Sequence, residues 1–193
     1  MPELILIKHS LPDLDPTVPA SQWPLSEAGR LKCKTLSERL AVHHPDVIVA
    51  STEPKAMETA QIIATLLGTP CATAEALREH DRRNVGFLSP EQFGAAVARF
   101  FESPQDLVLG RETADQAHQR FAAAIEGVIA RYPTDTVAVV THGTVIALFV
   151  ARATGLDPFP FWRRLGTPAF VVLSLPERHV VAVVENVEGT ADR

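Results

Sequence analysis

Short apolar runs alternate along the chain with longer segments in which apolar residues recur every three or four positions. The short runs are three to seven residues long and most are rich in Val and Ile, which predicts strands at residues 3–9, 46–50, 71–73 and 136–141. Two further apolar runs, residues 169–175 and 180–185, flank a tight Pro-Glu-Arg-His turn. These two runs predict a hairpin that completes a sheet.

The longer segments carry helix start and stop signals. Ser26 is placed to cap a first helix, and a second begins with Pro54 in its first turn and ends at Gly68. Ser89 and Thr113 are each followed three residues later by Gln, the capping-box pattern, so two more helices are predicted to begin there. A final helical segment, residues 144–153, is apolar on every side, which predicts a helix packed under other elements.

Alternating strands and helices predict an α/β fold: a three-layer sandwich with a mostly parallel sheet and an antiparallel strand at one edge. The 193 residues are 46% hydrophobic and 21% charged, as in an ordinary globular domain. We therefore expect a single domain over residues 1–193, with a helical insertion at about residues 75–135. The segment 159–165 is expected to pack against the core and to leave its arginines in solvent.

The charge and the cysteine content indicate which binding partners and which cellular compartment to expect. The net charge is −5 without any block of like charge, so neither nucleic acid nor a membrane surface is an expected partner. The chain lacks a basic leader segment and any apolar run of about 18 residues, which favours a cytoplasmic location. Cys33 and Cys71 have no CxxC spacing and are expected to be reduced core residues. The sequence leaves the oligomeric state open.

Two histidines stand at the carboxyl ends of predicted strands. His9 is the last residue of the first strand, and His142 directly follows the fourth. Open α/β sheets bind their ligands at the carboxyl ends of parallel strands, so the two imidazoles can meet there. The polar, irregular stretch 75–86 is a candidate for a loop that lines the same site.

The residues around these histidines carry a family resemblance. The relevant motifs are Lys8-His9-Ser10, Ser51-Thr52-Glu53-Pro54-Lys55-Ala56-Met57-Glu58-Thr59-Ala60, Leu77-Arg78-Glu79 and Thr141-His142-Gly143. In this order they resemble the histidine phosphatase superfamily, which has the phosphoglycerate-mutase-like fold. The chain keeps both histidines and the Glu of that pattern. It departs from the pattern at Lys8 and Lys55, where the family has Arg, and at Ser10, where the family has Gly.

The resemblance implies a phosphohistidine mechanism without metal or cofactor. A neutral His9 would attack phosphorus, and Glu79, with its pKa raised beside the phosphate dianion, would serve as acid and then as base. The implied phosphate ligands are two ammonium groups, the second histidine and the first backbone amides of the last buried helix. They belong to Lys8, Lys55, His142, Gly143 and Thr144.

Lysine in place of arginine keeps the positive charge but loses the planar fork that binds phosphate with two hydrogen bonds. Because both arginines are replaced, we hypothesise a rebuilt pocket in which Arg82 or Arg83 supplies the missing fork. Ser10 could also contact phosphate through its hydroxyl or amide. Ser51 and Thr52 are expected to serve the start of the helix at Pro54.

These residues favour a phosphomonoesterase that hydrolyses a small phosphorylated metabolite. A phospho-ligand-binding or regulatory domain with little turnover remains an alternative, as does a phosphomutase. The Asp-Leu-Asp-Pro-Thr stretch at residues 13–17 resembles the DxDxT signature of haloacid-dehalogenase phosphatases. Asp13 lies four positions after His9, whereas the nucleophile of that family stands at the strand tip, so this interpretation is disfavoured.

Overall fold

The computed structural model describes residues 2–188, which form one six-stranded sheet flanked by helices. The strands are Glu3–Lys8 (β1), Val47–Ala50 (β2), Cys71–Thr73 (β3), Val137–Thr141 (β4), Ala169–Ser174 (β5) and Val180–Val184 (β6). The helices are Glu27–Leu40 (α1), Pro54–Leu67 (α2), Pro90–Glu102 (α3), Ala114–Arg131 (α4), Gly143–Thr154 (α5) and Pro158–Arg164 (α6).

The strand order is β3-β2-β4-β1-β5-β6. Strands β3, β2, β4 and β1 are parallel to one another, and β5 pairs antiparallel with both β1 and β6. The predicted α/β fold with a mostly parallel sheet is thus confirmed. β1 and β4 are neighbours in register, with Lys8 opposite Thr141, so the residues that follow them leave the sheet side by side.

Both faces of the sheet are covered, which accounts for the uninterrupted apolar runs in the central strands. Leu4 and Leu6 of β1 belong to a core shared with α3, α4, α5 and α6. Ile5 and Ile7, which point to the opposite face, belong to a second core with α1 and α2. The result is the expected three layers, with the sheet in the middle.

Several local predictions are met. Both capping boxes form, at Ser89 and at Thr113, and the first nine residues of α5 are all buried. The segment 159–165 lies largely in α6, where Phe161 is buried and the two arginines are exposed.

The two cysteines differ in their surroundings. Cys33 is buried, as expected, but the prediction for Cys71 is wrong, because Cys71 lies exposed on the edge strand β3. Both thiols are free. Among residues 2–188, no helix combines the length and the apolar character needed to span a bilayer.

Candidate active site

His9 and His142 lie next to each other at the carboxyl ends of β1 and β4. Their ring centroids are 5.2 Å apart, and the rings meet edge to face at 63°. The neighbouring strands hold this arrangement, since the His9 amide donates to the Thr141 carbonyl at 3.0 Å. Both side chains are buried, with 7% of His9 and none of His142 exposed.

The hydrogen bonds of His9 define which ring nitrogen can react. Nδ1 lies 2.7 Å from the carbonyl oxygen of Ser10, and because that oxygen can only accept, Nδ1 carries the hydrogen. Burial, followed by the charges of His142 and Lys55, lowers the pKa of His9 well below 6.5. The ring is therefore neutral near pH 7, and Nε2 holds an unprotonated lone pair.

His142 has one partner and one open nitrogen. Its Nε2 lies 2.9 Å from Ser51 Oγ, while Nδ1 is buried and has no hydrogen-bond partner among the described residues. Burial and the charge of Lys55 lower the pKa of His142 well below its usual value. When Ser51 donates to Nε2, the hydrogen of the neutral ring is on Nδ1, where it can be given to a bound anion.

The two lysines bring positive charge to the same place. Lys8 Nζ donates to the Leu165 carbonyl at 2.6 Å, and Lys55 Nζ donates to the Ala20 carbonyl and to Glu53 Oε2, both at 2.6 Å. Burial lowers the pKa of Lys8 to about 8 and also lowers the pKa of Lys55. An ammonium has three N–H donors, so each lysine keeps at least one for a ligand.

Glu79 lies against the N-terminus of α5. Its carboxylate accepts from the amides of Thr144 at 3.2 Å, Val145 at 3.3 Å and His80 at 3.0 Å. Burial would raise the pKa of Glu79, but Arg82, His142 and the His80 amide together lower it below its ordinary value. In the ligand-free protein the carboxylate is therefore ionised and caps the helix, and the raised pKa expected beside a bound phosphate dianion stays a prediction.

This capping also changes the expectation for the residues that begin α5. The Thr144 amide is occupied by Glu79, although the Thr144 hydroxyl is buried without a hydrogen-bond partner among residues 2–188. Gly143 has a packing role, because a Cβ there would lie 3.2–3.4 Å from the end of the Lys8 side chain. A larger residue at 143 would press on that ammonium.

The hypothesis of a compensating arginine separates Arg82 from Arg83. Arg82 adds positive charge at Lys8, Lys55 and His142, and its Nη1 is buried without a hydrogen-bond partner in the described chain. Its guanidinium stacks over the Phe93 ring, 4.7 Å from the centroid. Arg83 is exposed and forms a two-bond ion pair with Asp81, at 3.0 and 2.6 Å. Arg82 is thus the arginine directed at the site.

The side chain of Ser10 is directed to α1 and not to the two histidines, although the Ser10 carbonyl accepts from His9 Nδ1. Its hydroxyl donates to the Gly29 carbonyl at 2.7 Å, and its amide donates to Thr59 Oγ1 at 3.0 Å. Both donors that we expected to meet phosphate are engaged with α1 and α2, so Ser10 fastens the loop after β1 to these helices.

Two residues of the site were not predicted from the sequence. Ser51 accepts from the amide of Glu53, the N-cap residue of α2, as its expected place at the start of that helix implies, but it also bonds to His142. Glu53 links the site together: it accepts from Lys55 and from the Glu79 amide, and it lies 3.7 Å from His142 Nε2. The signal available in the sequence was their place between β2 and the helix, within the motif that contains Lys55.

A polar cavity of about 290 Å³ opens beside this cluster. Glu53, Lys55, Glu79 and Arg82 line it, together with the 3₁₀ segment Ala20–Gln22. Its size suits a phosphoryl group with a small substituent. Across residues 2–188, no group of three or more His, Cys, Asp or Glu side chains is arranged to hold a metal ion.

A family model and several known proteins match this chain. A family model of the histidine phosphatase superfamily (branch 1) matches residues 5–187. Phosphoserine phosphatase 1 of Hydrogenobacter thermophilus is 26% identical over 196 residues, covering 97% of this chain and 93% of that protein. The metal-independent phosphoserine phosphatase of Arabidopsis thaliana is 32% identical over 141 residues. That match covers 67% of this chain and 58% of the plant protein, so it spans less than two thirds of the relative.

Solved structures share the fold. A mycobacterial glucosyl-3-phosphoglycerate phosphatase in complex with inorganic phosphate superposes with a TM-score of 0.78 at 20% identity, covering 98% of this chain and 100% of that chain. YhfR of Bacillus stearothermophilus superposes with a TM-score of 0.74 at 23% identity, covering 94% and 96%. The family match and the relatives named as phosphatases confirm the prediction of a phosphatase enzyme. With a family model matched across nearly its whole length, this chain belongs to the histidine phosphatase superfamily, branch 1.

Proposed function

We propose that this protein hydrolyses phosphomonoesters of small metabolites through a phosphohistidine intermediate on His9. One observation carries the proposal: the hydrogen bond from His9 Nδ1 to the Ser10 carbonyl leaves Nε2 unprotonated in a cluster of positive charge. A neutral imidazole held in one tautomer is a ready nucleophile. The same ring, if protonated, could not attack phosphorus.

In the first step, His9 Nε2 attacks phosphorus in line with the ester oxygen. The Nε2–P bond forms as the P–O bond to the leaving alcohol breaks, and the alkoxide takes a proton from Glu79. Glu79 is ionised in the ligand-free protein, so it gains this proton in the complex, where the phosphate dianion raises its pKa. In the second step, Glu79 takes a proton from water, whose oxygen attacks phosphorus and releases His9 and inorganic phosphate.

Positive charge and open donors stabilise the three equatorial oxygens in both steps. The proposed phosphate ligands are Lys8, Lys55, His142 Nδ1 and Arg82, with the Thr144 hydroxyl as a further donor. Catalysis of phosphoryl transfer depends mainly on such positioning and electrostatic stabilisation. In the ligand-free protein the Glu53 carboxylate is paired with Lys55, so phosphate binding competes with that pair.

The substrate class follows from the size of the polar cavity and from the relatives. Phosphatases similar to this chain are named for phosphoserine and for glucosyl-3-phosphoglycerate. We further propose a cytoplasmic location, supported by the two free cysteines.

The test uses purified protein and p-nitrophenyl phosphate. We expect parent enzyme to release p-nitrophenol, and we expect His9→Asn to lower kcat by at least about 10³-fold. A rapid acid-free quench of the parent with ³²P-labelled substrate should trap label that is stable in base and lost in acid, as a phosphohistidine requires. His179→Asn, a histidine in the β5–β6 turn, is the matched control and should retain parent activity.

The other functions considered give different results. A domain that only binds phospho-ligands would show no His9-dependent turnover over a broad phosphoester panel. A phosphomutase would return the label to an organic acceptor and release little inorganic phosphate. Either result would contradict the proposed hydrolysis.

A further inference from the structure

A second and larger cavity, of about 580 Å³, lies beside the polar one. Its walls come from the proline-rich loop after β1, from the loop that precedes α3 and from the first turn of α3. The side chains that shape it are mainly apolar: Val18, Trp23, Val85, Phe87, Leu88 and Phe93. The only indole N–H in this wall, that of Trp23, is already bonded to the Asp15 carbonyl at 2.7 Å.

The two cavities share part of their lining. Ala20, Arg82 and Arg83 line both of them, so a molecule bound by phosphate in the first can extend into the second. Arg82 stands at the junction, with its guanidinium over the Phe93 ring of the larger cavity and its charge at the phosphate cluster. The position of the larger cavity is therefore that of the group attached to the phosphate.

The charges of the larger cavity restrict what this group can be. Among the described residues that line it there is no Asp, Glu or Lys, and Arg83 is paired with Asp81. An ammonium group inside this larger cavity would find no carboxylate, because the carboxylates of Glu53 and Glu79 line the polar cavity instead. Two apolar side chains at the cavity, Leu14 and Phe87, are 58% and 56% exposed, so an apolar ligand would remove them from water.

We propose that the alcohol portion of the substrate is apolar, a medium-length alkyl or aryl group that fills the cavity between residues 14–23 and residues 82–93. This inference rests on the proposed phosphatase function and names its substrate class. The phosphate is held by the cationic cluster, and burial of the apolar group distinguishes this substrate from a polar phosphometabolite.

A homologous series of n-alkyl phosphates tests the inference, because ethyl, butyl, hexyl and octyl alcohols have nearly the same leaving-group basicity. We expect kcat/KM to rise by at least about tenfold from ethyl to octyl phosphate. Full burial of the alkyl chain would raise kcat/KM by roughly fourfold for each added methylene, so the expected total is smaller than full burial would give. The measurements are made below the concentration at which octyl phosphate forms micelles. A flat or falling series would overturn the inference.

Leu14 and Phe87 provide test variants at the cavity, and the exposed Leu31 provides a matched control for Leu14. Leu14→Ser should lower the octyl-to-ethyl ratio of kcat/KM by about threefold, and Phe87→Ser by about fivefold. Leu31→Ser alters a leucine of α1 that is 72% exposed and does not line either cavity, so it should leave the ratio unchanged. Equal ratios in the parent, Leu14→Ser and Phe87→Ser would also overturn the inference.

The failure of this inference can be distinguished from failure of the phosphatase proposal. If the parent hydrolyses p-nitrophenyl phosphate in a His9-dependent manner but the alkyl series is flat, only the apolar substrate class is wrong. If no ester in either set is hydrolysed, the phosphatase proposal is wrong and the substrate class falls with it.

Discussion

At the level of single residues, the site contains two lysine ammonium groups, those of Lys8 and Lys55, and each is already bonded to a backbone carbonyl. The replacement of arginine by lysine at both positions stays a prediction from the resemblance. Sequence position was sufficient to identify both histidines and Glu79, because each belongs to a motif. It could not separate Arg82 from Arg83, since that choice depends on where two adjacent side chains point in the folded loop.

The two adjacent arginines give a direct test of the rebuilt pocket. We expect Arg82→Ala to lower kcat/KM for p-nitrophenyl phosphate by about 10²-fold, because a phosphate-stabilising donor is lost. Arg83→Ala, which removes an exposed charge paired with Asp81, should change kcat/KM by less than about threefold. Arg82→Ala also loses the contact with Phe93, so melting temperatures are measured alongside the kinetics. Equal kinetics for the two variants would contradict a compensating role for Arg82.

At the level of elements, the N-terminal caps of helices α3 and α4 are the ones that the sequence predicts, whereas the cap of α5 could not be predicted from the sequence. The capping boxes at Ser89 and Thr113 lie within four residues, so local sequence specifies them. His142, at the N-cap of α5, makes no capping bond with its side chain. The carboxylate of Glu79 bonds to the helix amides instead, from a loop more than 60 residues earlier.

Glu79 both lines the candidate active site and caps α5, so its removal is expected to lower stability as well as activity. Glu79→Ala removes the acceptor of three buried amides and a negative charge at a helix N-terminus, so we expect the free energy of unfolding to fall by about 2 kcal/mol or more. Glu75→Ala, in the same segment and on a largely exposed side chain, should cost less than about 0.5 kcal/mol. Urea unfolding measures both values. Similar values for the two variants would show that Glu79 does not support α5.

At the level of the whole molecule, folding buries ionisable groups that an unfolded chain would expose to water. Burial lowers the pKa of His9 and His142 well below 6.5, and it lowers the pKa of His80 and His118 in the same direction. These histidines have pKa values of about 6.5 in the unfolded chain. The free energy of unfolding is therefore linked to the protonation of these four histidines.

The sign of this linkage is fixed by the direction of the shifts. Below pH 6.5 the unfolded chain binds protons that the folded protein does not, so the free energy of unfolding should fall as pH falls from 7.5 to 5. For His9 and His142 alone the slope approaches about 1.4 kcal/mol per pH unit per group. Urea unfolding at several pH values measures the slope, which should be smaller in the double variant His9→Asn/His142→Asn. A stability that does not change over this range would contradict neutral buried histidines.

The sequence by itself determined the order of the strands and of helices α1 to α5, the layered α/β class and the position of the two histidines at strand ends, whereas α6 was not predicted. These features are encoded in local patterns of apolar residues, caps and motifs. Such patterns involve residues close together in the chain, so they can be recognised in the sequence without knowledge of tertiary contacts. Only the tertiary structure decided which loop side chains surround the histidines: Arg82 rather than Arg83, Ser51 and Glu53 inside the site, and Ser10 outside it. These roles arise from contacts between residues far apart in the chain, and the packing of β1, β4 and α5 against their loops fixes them.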